Sequence, residues 1–321
     1  MLHHFTKTLS SLALIQLLSA CADGSAQLTG DSSTDSNRIT INITDAPVDY
    51  ADAVVIEFTG ITLKSENSGE QIFTFDTAKS IDLLTLQGTS SQALIENVEI
   101  PAGKYTQIRL AVNAEFDSHM DSYITVNSTQ HELRVPSGSQ SGLKLNTPFT
   151  VIASADDVNI IDINDAVGAS TVYTIDFDLR KSIVKPNGQD GYFLKPVLRL
   201  VQNIQTGSIS GTVDPNLLIG ANCSDNAPLT GNAVYVFTNA NTVPDDVDEI
   251  GIEPITTSLI VFNSDTGIYS YEIGFLPESS YTLAFTCAAD LDDDEDNADV
   301  IFDVIDNVTV MANEATIHPV D

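Results

Sequence analysis

The chain has 321 residues, and its 45 acidic against 13 basic side chains give a formal charge of −32 at neutral pH. A surface that negative repels phosphate backbones and anionic headgroups, which argues against nucleic acid and against direct docking on anionic lipid. There is no Trp for sugar stacking and no zinc-protease, nucleophile-elbow or phosphate-loop pattern, so hydrolytic and cofactor chemistry lack their usual carriers.

The N-terminus reads as an export address. Lys7 precedes an apolar run from Leu12 to Leu18, and Ser19 and Ala20 stand directly before Cys21. That is the layout of a signal peptide over residues 1–20. The apolar run is far shorter than the roughly 20 residues of a membrane-spanning helix. Leu18-Ser19-Ala20-Cys21 resembles a bacterial lipobox, which implies cleavage before Cys21 and a lipid on its sulfur. Ala22 in place of aspartate favours the outer membrane, by resemblance to enterobacterial lipoproteins. Residues 21–37 are small and polar and read as a flexible tether.

From Arg38 onward the pattern changes. "RITINIT" (38–44) alternates Ile39, Ile41 and Ile43 with polar residues, the period of a strand with one buried face. Similar strands are expected at 53–63, 71–75, 104–112, 122–126, 129–135, 148–153, 172–180 and 192–202, with at most a short helix in 80–88. The spacing and the Gly, Pro, Asn and Asp between strands predict a first β-sandwich domain over 38–203. In "ITDAPVDY" (43–50), Asp45 is read as a turn-holding residue, with metal binding as the lesser alternative.

A second sandwich is expected over 207–321, with strands at 207–213, 232–238, 256–262, 268–273, 280–287 and 299–311. The whole is therefore an all-β chain of two immunoglobulin- or transthyretin-like sandwiches behind a lipoprotein signal peptide. "IPAGKYTQIRL" (100–110) and "LPESSYTLAF" (276–285) share a Pro, a turn, a Tyr and an alternating strand. Cys223 and Cys287 both fall in this second part and, in an exported protein, are expected to form a disulfide.

The last basic residue is Arg199; residues 200–321 hold 15 Asp, 6 Glu and no Lys or Arg. Solubility and calcium binding each account for such acidity. The candidate calcium loop is "DLDDDEDNAD", with Asp292, Asp294, Asp296, Asn297, Asp299 and Asp303 at alternating or loop-closing positions. Calcium takes six to eight hard oxygens, which such spacing can converge, although a helix–loop–helix hand would want Gly where Asn297 stands. The other reading is a solvated acidic hairpin tip. Asp245, Asp246, Asp248 and Glu249 lie in a neighbouring acidic loop that could add ligands.

One carboxylate pair invites a catalytic reading. Asp176 and Asp178 in "TIDFDLRKS" would share a strand face with Arg180. Their spacing of about 7 Å falls within the glycosidase range. The adjacent Arg180 makes an ion-paired surface ladder the stronger reading.

"ITINITDAPVDYADAVVIEFTGITLKS" (39–65), "IDLLTLQG" (81–88), "IPAGKYTQIRLAV" (100–112), "PSGSQSGLKL" (136–145), "IDFDLRKSIV" (175–184) and "GYFLKPVLRLV" (191–201) together resemble the bacterial family called domain of unknown function 4382. The resemblance implies an exported lipoprotein with no established activity. "GSISGTV", "NAVYVFT" and "SDTGIYSYEIGFLPESSYTLAF" are similar to carboxypeptidase-regulatory or transthyretin-like modules, with Asp265, Gly267 and Tyr269 matching the middle motif and Ser279 departing from the last. Such modules are accessory and carry no catalytic residues. The expected role is thus a non-enzymatic, outer-membrane-anchored binding or scaffolding protein with a glycan or envelope protein as partner. A purely structural lipoprotein is the alternative and a glycan hydrolase the outsider.

Overall fold

The computed structural model describes residues 37–136, 141–151, 171–185, 191–220, 222–223, 231–248, 250–292 and 300–321. The N-terminal strands are β1 (Asn37–Ala46), β2 (Ala53–Ser65), β3 (Glu70–Asp82), β4 (Gln92–Ile100), β5 (Gly103–Asn113), β6 (Tyr123–Val126) and β7 (Thr129–Arg134). They continue with β8 (Leu143–Leu145), β9 (Phe149–Val151), β10 (Thr171–Asp178), the short helix α1 (Leu179–Ser182), β11 (Ile183–Val184), β12 (Tyr192–Leu194) and β13 (Leu198–Gln202). One sheet runs β13-β10-β1-β4, and the facing sheet runs β11-β12-β7-β6-β2-β5-β8, with β3 on β2 and β9 on β5.

The alternation read from the sequence builds this core. Ile39, Ile41 and Ile43 of β1 are fully buried against Val54, Ile56 and Phe58 of β2 in one apolar cluster. Phe177 meets Phe58 edge-on across the sandwich, ring centroids 6.2 Å apart. In β5 the buried positions are Tyr105, Ile108, Leu110 and Val112, because a register shift between Lys64 and Ser65 of β2 inserts one extra residue opposite. Such a bulge changes the face on which the alternation continues.

Three departures from the expected strands have local causes. β4 was not foreseen: its pairing with β1 is bulged, Asn97 sits at φ 52°, and Leu94 and Ile95 are both buried, so its pattern does not alternate. The run expected over 192–202 is two strands in different sheets, split by Pro196, which has no N–H for a ladder. β10 ends at Asp178, whose side chain accepts the Lys181 N–H at 3.2 Å and turns the chain into α1.

The C-terminal strands are β14 (Thr206–Thr212), β15 (Ala233–Thr238), β16 (Thr256–Leu259), β17 (Val261–Asn263), β18 (Ile268–Pro277), β19 (Ser279–Thr286), β20 (Val304–Val310) and β21 (Ala315–Ile317). They form sheets β17-β18-β14-β21 and β16-β15-β19-β20. Ile209, Val234, Val236, Ile273, Leu283 and Phe285 fill the space between them. Cys223 and Cys287 are bonded, Sγ to Sγ 2.07 Å. The outer face of the second sheet is also apolar: Ala233, Tyr235, Phe237 and Ala284 are buried there with Val247 and Ala289.

The two Pro-turn-Tyr motifs have the same hydrogen bond. The Tyr105 hydroxyl donates to the Pro101 carbonyl at 2.8 Å, and the Tyr281 hydroxyl to the Pro277 carbonyl at 2.6 Å. Each tyrosine ring is buried at the start of its strand while its oxygen pins the turn before it.

Candidate functional site

The polar side chains of interest gather where the N-terminal sandwich meets the C-terminal one. Because α1 begins right after Asp178, Arg180 leaves the strand face that the sequence assigned it, and it pairs with neither Asp176 nor Asp178. Its side chain is buried, donating to the Ala289 carbonyl at 2.7 Å and to Asp49 Oδ2 at 3.3 Å, with its guanidinium 5.6 Å from the centre of the Tyr235 ring. Burial disfavours its charge, but the Tyr235 oxygen, Asp49 and Asp292 outweigh that and raise its pKa.

Two more cations cross the same boundary. Arg199 pairs with Asp176 at 2.6 Å and donates to the Phe275 carbonyl at 3.1 Å. Lys181 pairs with Asp178 at 3.1 Å, approaches Glu253 at 3.9 Å and donates to the Pro254 carbonyl. The expected surface ladder is therefore a buried set of ties: Asp176 and Asp178 neutralise cations that each also donate to one carbonyl of the acidic half. That complementarity holds because the acidic half has no Lys or Arg of its own. Gly274 contributes closeness, since a Cβ there would collide with the Gly88 carbonyl oxygen.

Of the candidate calcium loop, Asp292 and Asp303 are described. Asp292 is buried, with Oδ2 accepting from the Tyr235 hydroxyl and Oδ1 from the Val247 N–H at 2.9 Å. Asp303 Oδ1 accepts from the Asn222 amide at 2.6 Å. Asp294, Asp296, Asn297 and Asp299 lie outside the described residues, as does Cys21. Among the described residues, no three His, Cys, Asp or Glu side chains group as a metal-holding cluster.

One residue read from the sequence chiefly as a turn former has a more unusual setting. Asp45, at the end of β1, is 5% exposed, and neither of its carboxylate oxygens has a hydrogen-bond partner. Burial raises its pKa well above the ordinary value, and Asp176, Asp178 and Asp82 push the same way. It lines a polar cleft between the sandwiches with Thr44, Gly88 and Asp176 on one side and Thr256, Thr257, Glu272 and Gly274 on the other. The cleft opens to solvent, and its enclosed part is about 10 Å³, room for about one water or one small ion. No local signal marks Asp45, because its acidic neighbours come from strands more than thirty residues away in sequence.

No curated protein sequence matches the chain. Among solved structures, a leucine-rich repeat protein from Bacteroides thetaiotaomicron aligns at 10% identity and a TM-score of 0.22, covering 89% of this chain and 26% of that one. The chain thus spans about a quarter of that structure's length. The minor pilin GBS52 of Streptococcus agalactiae aligns at 10% identity and a TM-score of 0.19, covering 88% and 94%. The fimbrial anchor protein Mfa2 of Porphyromonas gingivalis aligns at 11% identity and 0.17, covering 79% of each. Likenesses this weak say nothing of role. The family model described as "Domain of unknown function (DUF4382)" matches residues 36–196, half of the sequence, and the chain belongs to that family.

Proposed function

We propose that the protein is a non-catalytic lipoprotein of the bacterial outer membrane, acting as a binding or scaffolding module. Lipid on Cys21 anchors it, residues 21–37 hold it off the membrane, and two domains, 38–203 and a transthyretin-like 207–321, act as one body. Its partner is a glycan or another envelope protein, and the acidic tract from Asp292 to Asp303 is the candidate calcium element. What supports a non-enzymatic reading is the state of Asp176 and Asp178: each is tied to a cation that also holds the two sandwiches together. A glycosidase pair needs one carboxyl free to donate a proton and one free to attack or activate water.

The reading is tested in two steps. Metabolic labelling with an alkyne fatty acid should mark the wild type and fail on Cys21→Ser, which should also leave the membrane fraction. Purified protein should show saturable binding on a panel of envelope glycans and surface proteins. Glycan hydrolysis abolished by Asp176→Asn with the fold intact would instead establish an enzyme.

A further inference from the structure

We propose that Asp45 is the charged ligand of a calcium site between the two sandwiches, separate from the acidic tract at Asp292–Asp303. The ionic accounting at this boundary leaves one group over. Asp176 has Arg199 at 2.6 Å and Asp178 has Lys181 at 3.1 Å. Asp45 is buried with both oxygens unpartnered. An uncompensated buried carboxylate costs several kcal/mol, so it is met in practice by a proton or by a cation.

The surroundings favour the cation. Thr257, from the other sandwich, lines the same cleft, is 4% exposed, and has a hydroxyl oxygen that is also buried without a partner. A proton answers at most one of these three oxygens; an ion that takes six to eight oxygen ligands can answer all of them. Glu272 adds a second negative charge at the rim, and Asp176 a carboxylate beside Asp45. The donors are hard oxygens without His or thiolate, which suits calcium over zinc or copper. With few protein carboxylates and waters reaching the ion only from the open, solvent side of the cleft, the affinity belongs to the weak extracellular range, with Kd about 10⁻⁴–10⁻³ M. Because ligands come from both sandwiches, the ion would bind only when they are docked.

The test is the melting temperature of the purified full chain in calcium chloride, in chelator, and in magnesium chloride at matched ionic strength. At about a hundredfold excess over Kd, calcium should raise it by about 5–10 °C. Asp45→Asn should lose that rise and melt no lower than wild type in chelator. Asp294→Asn with Asp296→Asn should keep it. No calcium-selective rise in the wild type, a rise that Asp45→Asn retains, or one that vanishes only with Asp294 and Asp296 changed overturns the proposal. If Asp45→Asn does not fold, calorimetric calcium titration of Thr257→Val decides: severalfold weaker binding supports the site, and unchanged affinity sinks it.

Discussion

The guanidinium of Arg180 donates to the carbonyl oxygen of Ala289 at 2.7 Å, joining residues 109 positions apart through a buried hydrogen bond. The same side chain lies against Asp49 and Tyr235, so it is a rivet between halves. Arg180→Met would keep most of the aliphatic packing but strand Asp49 and the carbonyl. Breaking a buried pair from one side costs about 3–5 kcal/mol. Chemical denaturation should show that loss, and proteolysis should cut first between the sandwiches; a variant as stable as wild type would remove Arg180 from this role.

Gly274 approaches Gly88 backbone to backbone, and backbone cannot swing aside. Gly274→Ala should therefore push the sandwiches apart, lowering the melting temperature while far-ultraviolet circular dichroism keeps its β signature. An unchanged melting temperature would show that the boundary yields without cost.

Acidity should stabilise the fold over the mildly acidic range. Burial raises the pKa of Asp45, Asp49 and Asp176 above the ordinary 3.8. Above 3.8 the folded state then holds protons that the unfolded chain has released. Stability from these groups is thus gained as pH falls through their folded values toward 3.8 and is lost as pH rises through them. In chelator, the melting temperature should rise as pH is lowered toward 3.8, and Asp45→Asn should flatten that rise. Equal slopes in both proteins would take Asp45 out of the account.

The Cys223–Cys287 bond closes a separation of 64 residues. Replacing both by Ser should cost about 2–4 kcal/mol through the freer unfolded chain. The effect should also reach Arg180, because its acceptor Ala289 lies two residues beyond Cys287. A double-mutant cycle with Arg180→Met should show coupling, and strict additivity would separate the two.

Tyr105→Phe and Tyr281→Phe each remove one hydroxyl donor and should each cost about 1 kcal/mol. The two turns belong to different sandwiches, so the double variant should lose the sum. A null effect at either would make that hydrogen bond decorative.

What could be read from the sequence was local. The period of Ile39, Ile41 and Ile43 announces a half-buried strand wherever that strand pairs. The parallel pairing of β1 with β10, Ile39 opposite Thr171 through Ala46 opposite Asp178, has no signal near either segment. β4 was hidden because its bulge spoils the alternation. Arg180 was misassigned because Asp178 doubles as strand residue and helix cap, and a two-residue period carried past it places Arg180 on the wrong surface. Asp45 looked like an ordinary turn aspartate, since its isolation exists only after distant acids and a second sandwich close around it.

The absence of Lys and Arg after Arg199 has a practical edge. Trypsin has no cleavage point in the last 122 residues, folded or unfolded. Its three closest upstream targets in the boundary, after Arg180, Lys181 and Arg199, are held against the acidic half. Opening the boundary would hand the protease those bonds and release the C-terminal half as one intact fragment. A stained gel of a timed digest then becomes a gauge of docking, with no label and no engineered reporter.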